Sequence, residues 1–184
     1  ILNPLAQFRK PMTMEDVLAA KPIVHPLSLL DVPPRSDGAI CLVLASRRVA
    51  EQSGQPFLVL RGRGSYHEGV HQIADEPADM IAFNAAQRAG QAVYSDSGFT
   101  PDKVDVAELY APCILVAEAL GLLEKGKGAA QTERGDTTLG GRIPINTSGG
   151  CQSRGHPARL TPLYNALELH QQLTSQAGER QVEG

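Results

Sequence analysis

An uninterrupted apolar run of strand length, Ala-Ile-Cys-Leu-Val-Leu-Ala at residues 39–45, most restricts the folds open to this chain of 184 residues. A strand with one solvent-facing side alternates apolar and polar residues, whereas a strand covered on both faces is apolar throughout. Residues 39–45 therefore predict a buried strand, as in sheets that carry helices on both faces. Cys41, in the middle of the run, is interpreted as an unreactive core thiol.

Strand-length and helix-length patterns alternate along the rest of the chain, which predicts the α/β class. Residues 1–35 contain six prolines and predict an irregular segment with one short helix near residues 15–20, capped by Thr13. The other expected elements are strands at 39–45, 57–61, 104–109 and 143–145, helices at 47–52, 78–97, 113–122 and 161–175, and a polar loop at 126–139, with Leu163, Leu167, His170 and Leu173 along one apolar face of the last helix.

Composition excludes several classes of partner and location. A net charge of -3 with no block of like charges provides no basic field for nucleic acid. No apolar run approaches the ~18 residues of a membrane span and the N-terminus has no signal pattern, so a cytoplasmic location is expected. Three cysteines, an odd number without a close pair, argue against a disulfide framework and a zinc ribbon.

Residues 140–157 concentrate the residue types that catalysis uses. Gly149 and Gly150 permit a sharp turn or a close backbone approach to a ligand, and Gly155 does so again just before His156. His156 is expected at a loop tip near the start of the last helix, where it could move a proton or stabilise an oxyanion. The alternative is a histidine in a surface loop. Because ligands gather where strands end, this turn and the turn at residues 110–113 are expected to face one crevice.

Other residues have both a functional and a structural interpretation. Cys113, in the first turn of a predicted helix, could be an activated thiol or a core residue, and Cys151 could have a chemical role or fill space. Tyr110 could donate its hydroxyl to the crevice or pack at a strand end. His170 is interpreted as a core histidine. The His-Glu-Gly-Val-His motif at residues 67–71 matches a zinc-protease pattern, but its glycine-rich context favours a chance match in a loop.

Three runs, at residues 36–46, 98–110 and 146–157, are similar in order and rough spacing to the thiolase superfamily. They resemble the sterol-carrier-protein-type branch, whose members are labelled lipid-transfer proteins or acetyl-CoA acetyltransferases. The resemblance implies an α/β thiolase-like fold, a mixed sheet covered by helices, of which this chain is the C-terminal half and is truncated at both ends. The implied divisions are the end of a loop region at 1–35, the last strand and helix of the N-terminal thiolase domain at 36–54, and the C-terminal thiolase domain without its final strand pair at 55–184.

The resemblance also implies roles for single residues. His156 matches the histidine of the family's Gly-His-Pro loop, which activates a cysteine and binds the thioester oxyanion. Tyr110 stands where the family carries an asparagine or a histidine, and Ala111-Pro112-Cys113 replaces an acidic motif, so the resemblance does not carry ordinary Claisen chemistry over to that loop. None of Cys41, Cys113 and Cys151 matches the family's nucleophile.

Two functions follow as hypotheses. The first is part of an acyl-CoA enzyme that makes or breaks a carbon-carbon bond beside a thioester carbonyl, in lipid, steroid or aromatic acyl-CoA metabolism. His156 and Tyr110 would be catalytic, and Ser148, Gly149, Gly150, Cys151 and Cys113 would shape the substrate pocket. The second is a catalytically degenerate protein that binds acyl-CoA or holds a partner. In both, the resemblance implies coenzyme A thioester as ligand, no covalently bound cofactor, no metal, a homodimer and a zinc-ribbon and OB-fold partner subunit.

Overall fold

A computed structural model describes residues 2–67 and 81–183, which form two compact units. Of the described residues, the first unit comprises 2–56 and 146–181, and the second comprises 57–67, 81–145 and 182–183. Within the described ranges, no helix has both the length and the apolar character required to cross a bilayer. The elements are helices α1 (Met14–Leu18), α2 (Arg47–Ser53), α3 (Asn84–Ser97), α4 (Cys113–Ala119), α5 (Gly128–Glu133), α6 (Gly150–Ser153) and α7 (Thr161–Leu173), an antiparallel hairpin of β1 (Pro22–Val24) and β2 (Leu27–Ser28), and 3-10 turns at Leu29–Asp31, Pro101–Lys103 and Gly178–Arg180.

Helices with strong local start signals are found where the sequence predicts them. Thr13 caps α1 through a reciprocal pair of bonds, since its hydroxyl accepts from Asp16 N at 3.1 Å and the Asp16 carboxylate accepts from Thr13 N at 2.9 Å. Ser46 caps α2 by accepting from Val49 N at 3.4 Å. These bonds satisfy N–H groups that the first turn of each helix leaves without an acceptor. The residue at which each helix begins is therefore determined by its neighbours in the sequence.

The predicted strands at 39–45 and 57–61 are wrong. Neither segment joins a ladder among the described residues, and Val43 and Leu44 are 88% and 91% exposed. Cys41 is exposed, so its interpretation as a core thiol is also wrong. An apolar run becomes a strand only when its N–H and C=O groups find a partner strand, which composition alone cannot supply. In the hairpin region, by contrast, two short strands form within a segment that the sequence predicts to be irregular.

The expected strands at 104–109 and 143–145 are reduced to one parallel bridge between Ala107 and Ile145. Ala107 N donates to Pro144 O at 3.0 Å, which joins the two segments inside the second unit. This bridge lies in the core of that unit. The buried core residues are Ala107, Ala117, Leu122, Leu123 and Ile143, with Val104, Leu109, Ile114, Leu120 and Ile145 packed against them.

Small residues allow α3 to pack closely on α4. Gly90 is the buried residue of α3, and a Cβ atom at this position would lie 2.7 Å from Leu120 Cδ2. The predicted helix at 78–97 begins later than expected, since residues 81–83 are not helical, and residues 78–80 lie outside the described ranges. The predicted loop at 126–139 contains α5, because the Glu118 carboxylate accepts from the N–H groups of Gly126 and Gly128 at 2.9 and 2.8 Å.

Helix α7 begins at the expected residue, ends two residues earlier than expected and buries a different face. Leu163 and Leu167 are 36% and 37% exposed, and Leu173 is 64% exposed, so the expected apolar face does not form a core. The buried residues of α7 are instead Thr161, Glu168 and Gln172, which share one face of the helix. These polar side chains are buried because partners elsewhere in the first unit satisfy them, as described below.

Replacement of Tyr94 by phenylalanine should destabilise the second unit. The Tyr94 hydroxyl donates to Leu120 O at 2.7 Å and links α3 to the end of α4. Loss of this bond leaves a partly buried carbonyl without its donor, for an expected cost of about 1 kcal/mol in the free energy of unfolding. Denaturant unfolding monitored by circular dichroism measures the difference, and an unchanged unfolding free energy would contradict it.

Tyr94 should also make the free energy of unfolding depend on pH. Burial raises the pKa of Tyr94 above its ordinary value of 10.0. The folded state therefore holds the phenolic proton more tightly than the unfolded state, and this contribution to stability is present below pH 10 and is lost as pH rises through the folded-state pKa. The unfolding free energy should fall less steeply above pH 10 in Tyr94→Phe than in the wild type.

Candidate functional site

The segment from Asn146 to His156 forms a tight double turn in the first unit. Gly149 and Gly150 have φ values of 100° and 59°, and the short helix α6 follows directly. A Cβ atom on Gly150 would lie 3.1 Å from Asn146 Nδ2, and one on Gly155, whose φ is 114°, would lie 2.6 Å from Ser36 Oγ. Both steric space and backbone conformation thus require glycine here, as the sequence predicts.

His156 is fixed by its backbone and by its ring. Its N–H donates to Pro34 O at 3.0 Å and its carbonyl accepts from Ser36 N at 3.3 Å, which makes a parallel bridge with residue Arg35. The ring Nδ1 lies 3.0 Å from Thr161 Oγ1, and Thr161 is only 1% exposed at the start of α7. The half-buried imidazole is therefore held through its Nδ1 atom.

Ser148 has a buried, internally bonded hydroxyl. Its Oγ accepts from Gly150 N at 3.3 Å and from Arg154 Nη1 at 3.0 Å, and its carbonyl accepts from Asn3 Nδ2 at 2.7 Å. The guanidinium of Arg154 also donates to Asn165 Oδ1 at 3.0 Å. Ser148 therefore joins the double turn to α7 and to the N-terminal segment.

The N-terminal segment lies against α6, a contact that the sequence does not predict. Gln7 N and Phe8 N donate to the carbonyls of Arg154 and Ser153 at 3.3 and 3.0 Å. The Ser153 hydroxyl returns a bond to Phe8 O at 2.5 Å. Three hydrogen bonds thus join the N-terminal segment to the C-terminal end of α6.

An open cleft of about 820 Å³ lies beside this arrangement, within the first unit. Of the residues expected to shape a substrate pocket, Ser148 lines this cleft. Cys151 is 3% exposed and packs inside the unit. Leucine side chains at positions 2, 5 and 167 and the charged groups of Arg9, Arg154 and Glu179 give the cleft both apolar and polar walls.

A buried ion pair is hydrogen-bonded to the double turn. Arg180 Nε and Nη2 donate to Glu168 Oε1 and Oε2, each at 3.0 Å, and the two side chains are 8% and 4% exposed. Glu168 Oε1 also accepts from Thr147 Oγ1 at 3.0 Å. Sequence inspection does not find this group, because its members are ordinary residues at ordinary helical positions until the fold brings them together.

Tyr110 and Cys113 belong to the second unit, whereas Ser148, Gly149, Gly150, Cys151 and His156 belong to the first. Tyr110 is 50% exposed, and Cys113 is half-buried as the first residue of α4. The site roles of all these residues, and the single crevice expected to contain both turns, stay predictions, as do the domain limits.

Metal ligands are not grouped in the described part of the chain. Across residues 2–67 and 81–183, no set of three His, Cys, Asp or Glu side chains could hold a metal ion. His67 is described and exposed, but the rest of the His-Glu-Gly-Val-His motif, residues 68–71, lies outside the described ranges.

Comparisons with known proteins agree with the resemblance seen in the sequence. The family model "Thiolase C-terminal domain-like" matches residues 64–184. Sterol carrier protein 2 from Oryctolagus cuniculus is 37% identical over 194 residues, which cover 99% of this chain and 35% of that protein. An acetyl-CoA acetyltransferase from Methanothermobacter thermautotrophicus is 36% identical over 188 residues, covering 99% of this chain and 48% of that protein.

A solved structure has the same fold. The structure titled "Ltp2-ChsH2(DUF35) aldolase" matches 97% of this chain and 49% of that chain, with a TM-score of 0.83 and 27% identity. The α/β thiolase-like fold is thereby confirmed, as is the similarity to the sterol-carrier and lipid-transfer branch. The chain spans about a third to a half of the length of these relatives. It belongs to the thiolase superfamily, and its residues 64–184 are a thiolase C-terminal domain.

Proposed function

We propose that this chain is part of a thiolase-like enzyme that makes or breaks a carbon-carbon bond beside the carbonyl of a coenzyme A thioester. In the cleavage direction a thiol nucleophile adds to the β carbonyl of a 3-oxoacyl thioester, or, in a retro-aldol reaction, a base takes the proton of the β hydroxyl. The bond between the α and β carbons then breaks, and the β carbon leaves as an acyl group on the thiol or as a free carbonyl. The electron pair of the broken bond passes to the enolate of the departing thioester. A proton then returns to the α carbon of that thioester. The enzyme has to stabilise negative charge on the carbonyl oxygen and to manage one proton, which are tasks for oriented donors and a base.

The observation that carries this proposal is the bond between His156 Nδ1 and Thr161 Oγ1 at 3.0 Å. When Nδ1 donates to Thr161, Nε2 has the lone pair and accepts a proton. When Nδ1 accepts from the Thr161 hydroxyl, Nε2 has the proton and donates to an oxyanion. The imidazole of His156 would thus serve both to stabilise the oxyanion and to transfer the proton.

Supporting roles follow for the other expected site residues. Residues 148–151 of the double turn would shape the thioester pocket, with Ser148 at the wall of the cleft. Tyr110, which is 50% exposed, would act as a second hydroxyl donor, and the half-buried Cys113 would contact the substrate. The coenzyme A thioester is the substrate in this proposal, and no covalently bound cofactor is needed for the steps assigned to these residues.

A second function is favoured by the tyrosine at position 110 and by the likeness to one solved structure. Tyr110 occupies a position where an asparagine or histidine is expected for ordinary thiolase chemistry, and the solved structure with a TM-score of 0.83 is titled as an aldolase with a DUF35 component. These features support a protein that cleaves by retro-aldol chemistry, or only binds acyl-CoA, with a partner subunit of the zinc-ribbon and OB-fold type. Homodimer formation is expected under either function.

Replacement of His156 by alanine should reduce turnover about a hundredfold to a thousandfold, because it removes a preorganised donor from the developing oxyanion. The assay uses the protein that carries this chain and a panel of 3-oxoacyl-CoA and 3-hydroxyacyl-CoA thioesters, with acyl-CoA products quantified by mass spectrometry. His170→Ala, which changes the half-buried histidine of α7, is the matched control and should retain turnover. Equal turnover in wild type and His156→Ala would refute the catalytic role.

Replacement of Thr161 by valine should lower turnover by about tenfold or less, since it removes one hydrogen bond of about 1 kcal/mol from the imidazole and leaves the side-chain volume nearly unchanged. Thr161→Ser keeps the hydroxyl and should restore the wild-type turnover. Equal turnover in the valine and serine variants would argue against this role.

A further inference from the structure

We propose that the buried Glu168–Arg180 ion pair positions the double turn at residues 146–156 through the hydroxyl of Thr147. This inference rests on the proposed function and adds positioning residues to it. Glu168 lies on α7 and Arg180 lies in the 3-10 turn at Gly178–Arg180, so the pair also ties the end of the first unit to α7. Neither residue belongs to the site that the sequence predicts.

The ion pair has the geometry of a fixed anchor. Two parallel bonds of 3.0 Å join the guanidinium of Arg180 to both carboxylate oxygens of Glu168. Arg180 Nη2 donates in addition to Gln171 Oε1 at 3.2 Å. A bidentate pair of this kind restricts rotation of both side chains, and burial keeps water from replacing either partner.

The carboxylate of Glu168 orients the side chain of Thr147 through a hydrogen bond. Glu168 Oε1 accepts from the Thr147 hydroxyl at 3.0 Å, and that hydroxyl in turn accepts from Gln172 Nε2 at 3.1 Å. Both functions of the threonine hydroxyl are therefore used, which leaves one orientation for its side chain. Thr147 directly precedes Ser148 and the Gly149–Gly150 turn, so a shift of Thr147 would shift the groups that lead to His156.

A polar acceptor, and not only burial, is required for this role. A well-packed apolar pair could stabilise α7 as well as a buried ion pair does, but it would offer no acceptor to Thr147. Gln172 Nε2 also donates to Glu168 Oε1 at 3.2 Å and to Arg180 O at 2.8 Å, which connects the network to the backbone of the terminal turn. The polar face of α7 is thus organised around an acceptor for the double turn.

The test compares Thr147→Val with Thr147→Ser in the protein that carries this chain. Valine removes the hydroxyl at almost constant volume, and serine keeps it. We expect the amides of residues 148–156 to exchange with solvent roughly tenfold faster in Thr147→Val, whereas those of α3 are unchanged. We also expect kcat to fall by about tenfold with little change in KM, and Thr147→Ser to restore both properties.

Two further variants separate positioning from general stability. Thr174→Val is the matched control, since the Thr174 hydroxyl donates to His170 O at 2.7 Å at the end of the same helix and outside the network. It should leave exchange at residues 148–156 and kcat unchanged. Glu168→Gln removes the charge, and its effect on exchange should not add to that of Thr147→Val, because both changes break one path.

The outcomes distinguish this inference from the proposed function. Unchanged exchange at residues 148–156 in Thr147→Val overturns the positioning role, whatever the turnover. Faster exchange with unchanged kcat, in a protein whose turnover requires His156, overturns it as well. If His156→Ala leaves turnover unchanged, the proposed function fails, and the exchange measurements alone then decide whether Thr147 positions the turn.

Discussion

Buried polar groups have to find partners inside the protein, and this requirement organises the first unit. Its most buried side chains include Ser148, Thr161, Glu168 and Gln172, each of which would cost free energy if left without a hydrogen bond. The bonds that satisfy them join residues far apart in the chain, such as Asn3 and Ser148. The double turn, the N-terminal segment and α7 therefore depend on one another, because each supplies partners that the others need.

The second unit depends on apolar packing in the usual way. Its core of alanine, leucine and isoleucine side chains is non-directional, so it fixes which elements touch but not the orientation of any one polar group. The first unit has the opposite character, since a hydrogen bond specifies direction as well as distance. This contrast explains why a precisely oriented histidine is found in the unit whose interior is polar.

Predictions from the sequence succeed where the determining interactions are local. The caps at Thr13 and Ser46 and the start of α7 follow from neighbouring residues, and the glycines of the double turn follow from the conformation that their backbone adopts. Predictions fail where a partner has to be found elsewhere. Residues 39–45 have strand composition but no ladder in the described chain, and α7 buries Glu168 because Arg180 comes from beyond the helix. For the same reason, His156 could be singled out from its loop, whereas its supports at Pro34, Ser36 and Thr161 could not.

Sequence divergence at Gly155 is restricted by two independent conditions. Its φ of 114° excludes side chains on conformational grounds, and a Cβ atom there would lie 2.6 Å from Ser36 Oγ. A larger residue at position 36 would meet the same crowding from the other side, where the Ser36 backbone also binds the carbonyl of His156. Both positions are therefore expected to keep small residues in those descendants of this protein that hold the histidine in place.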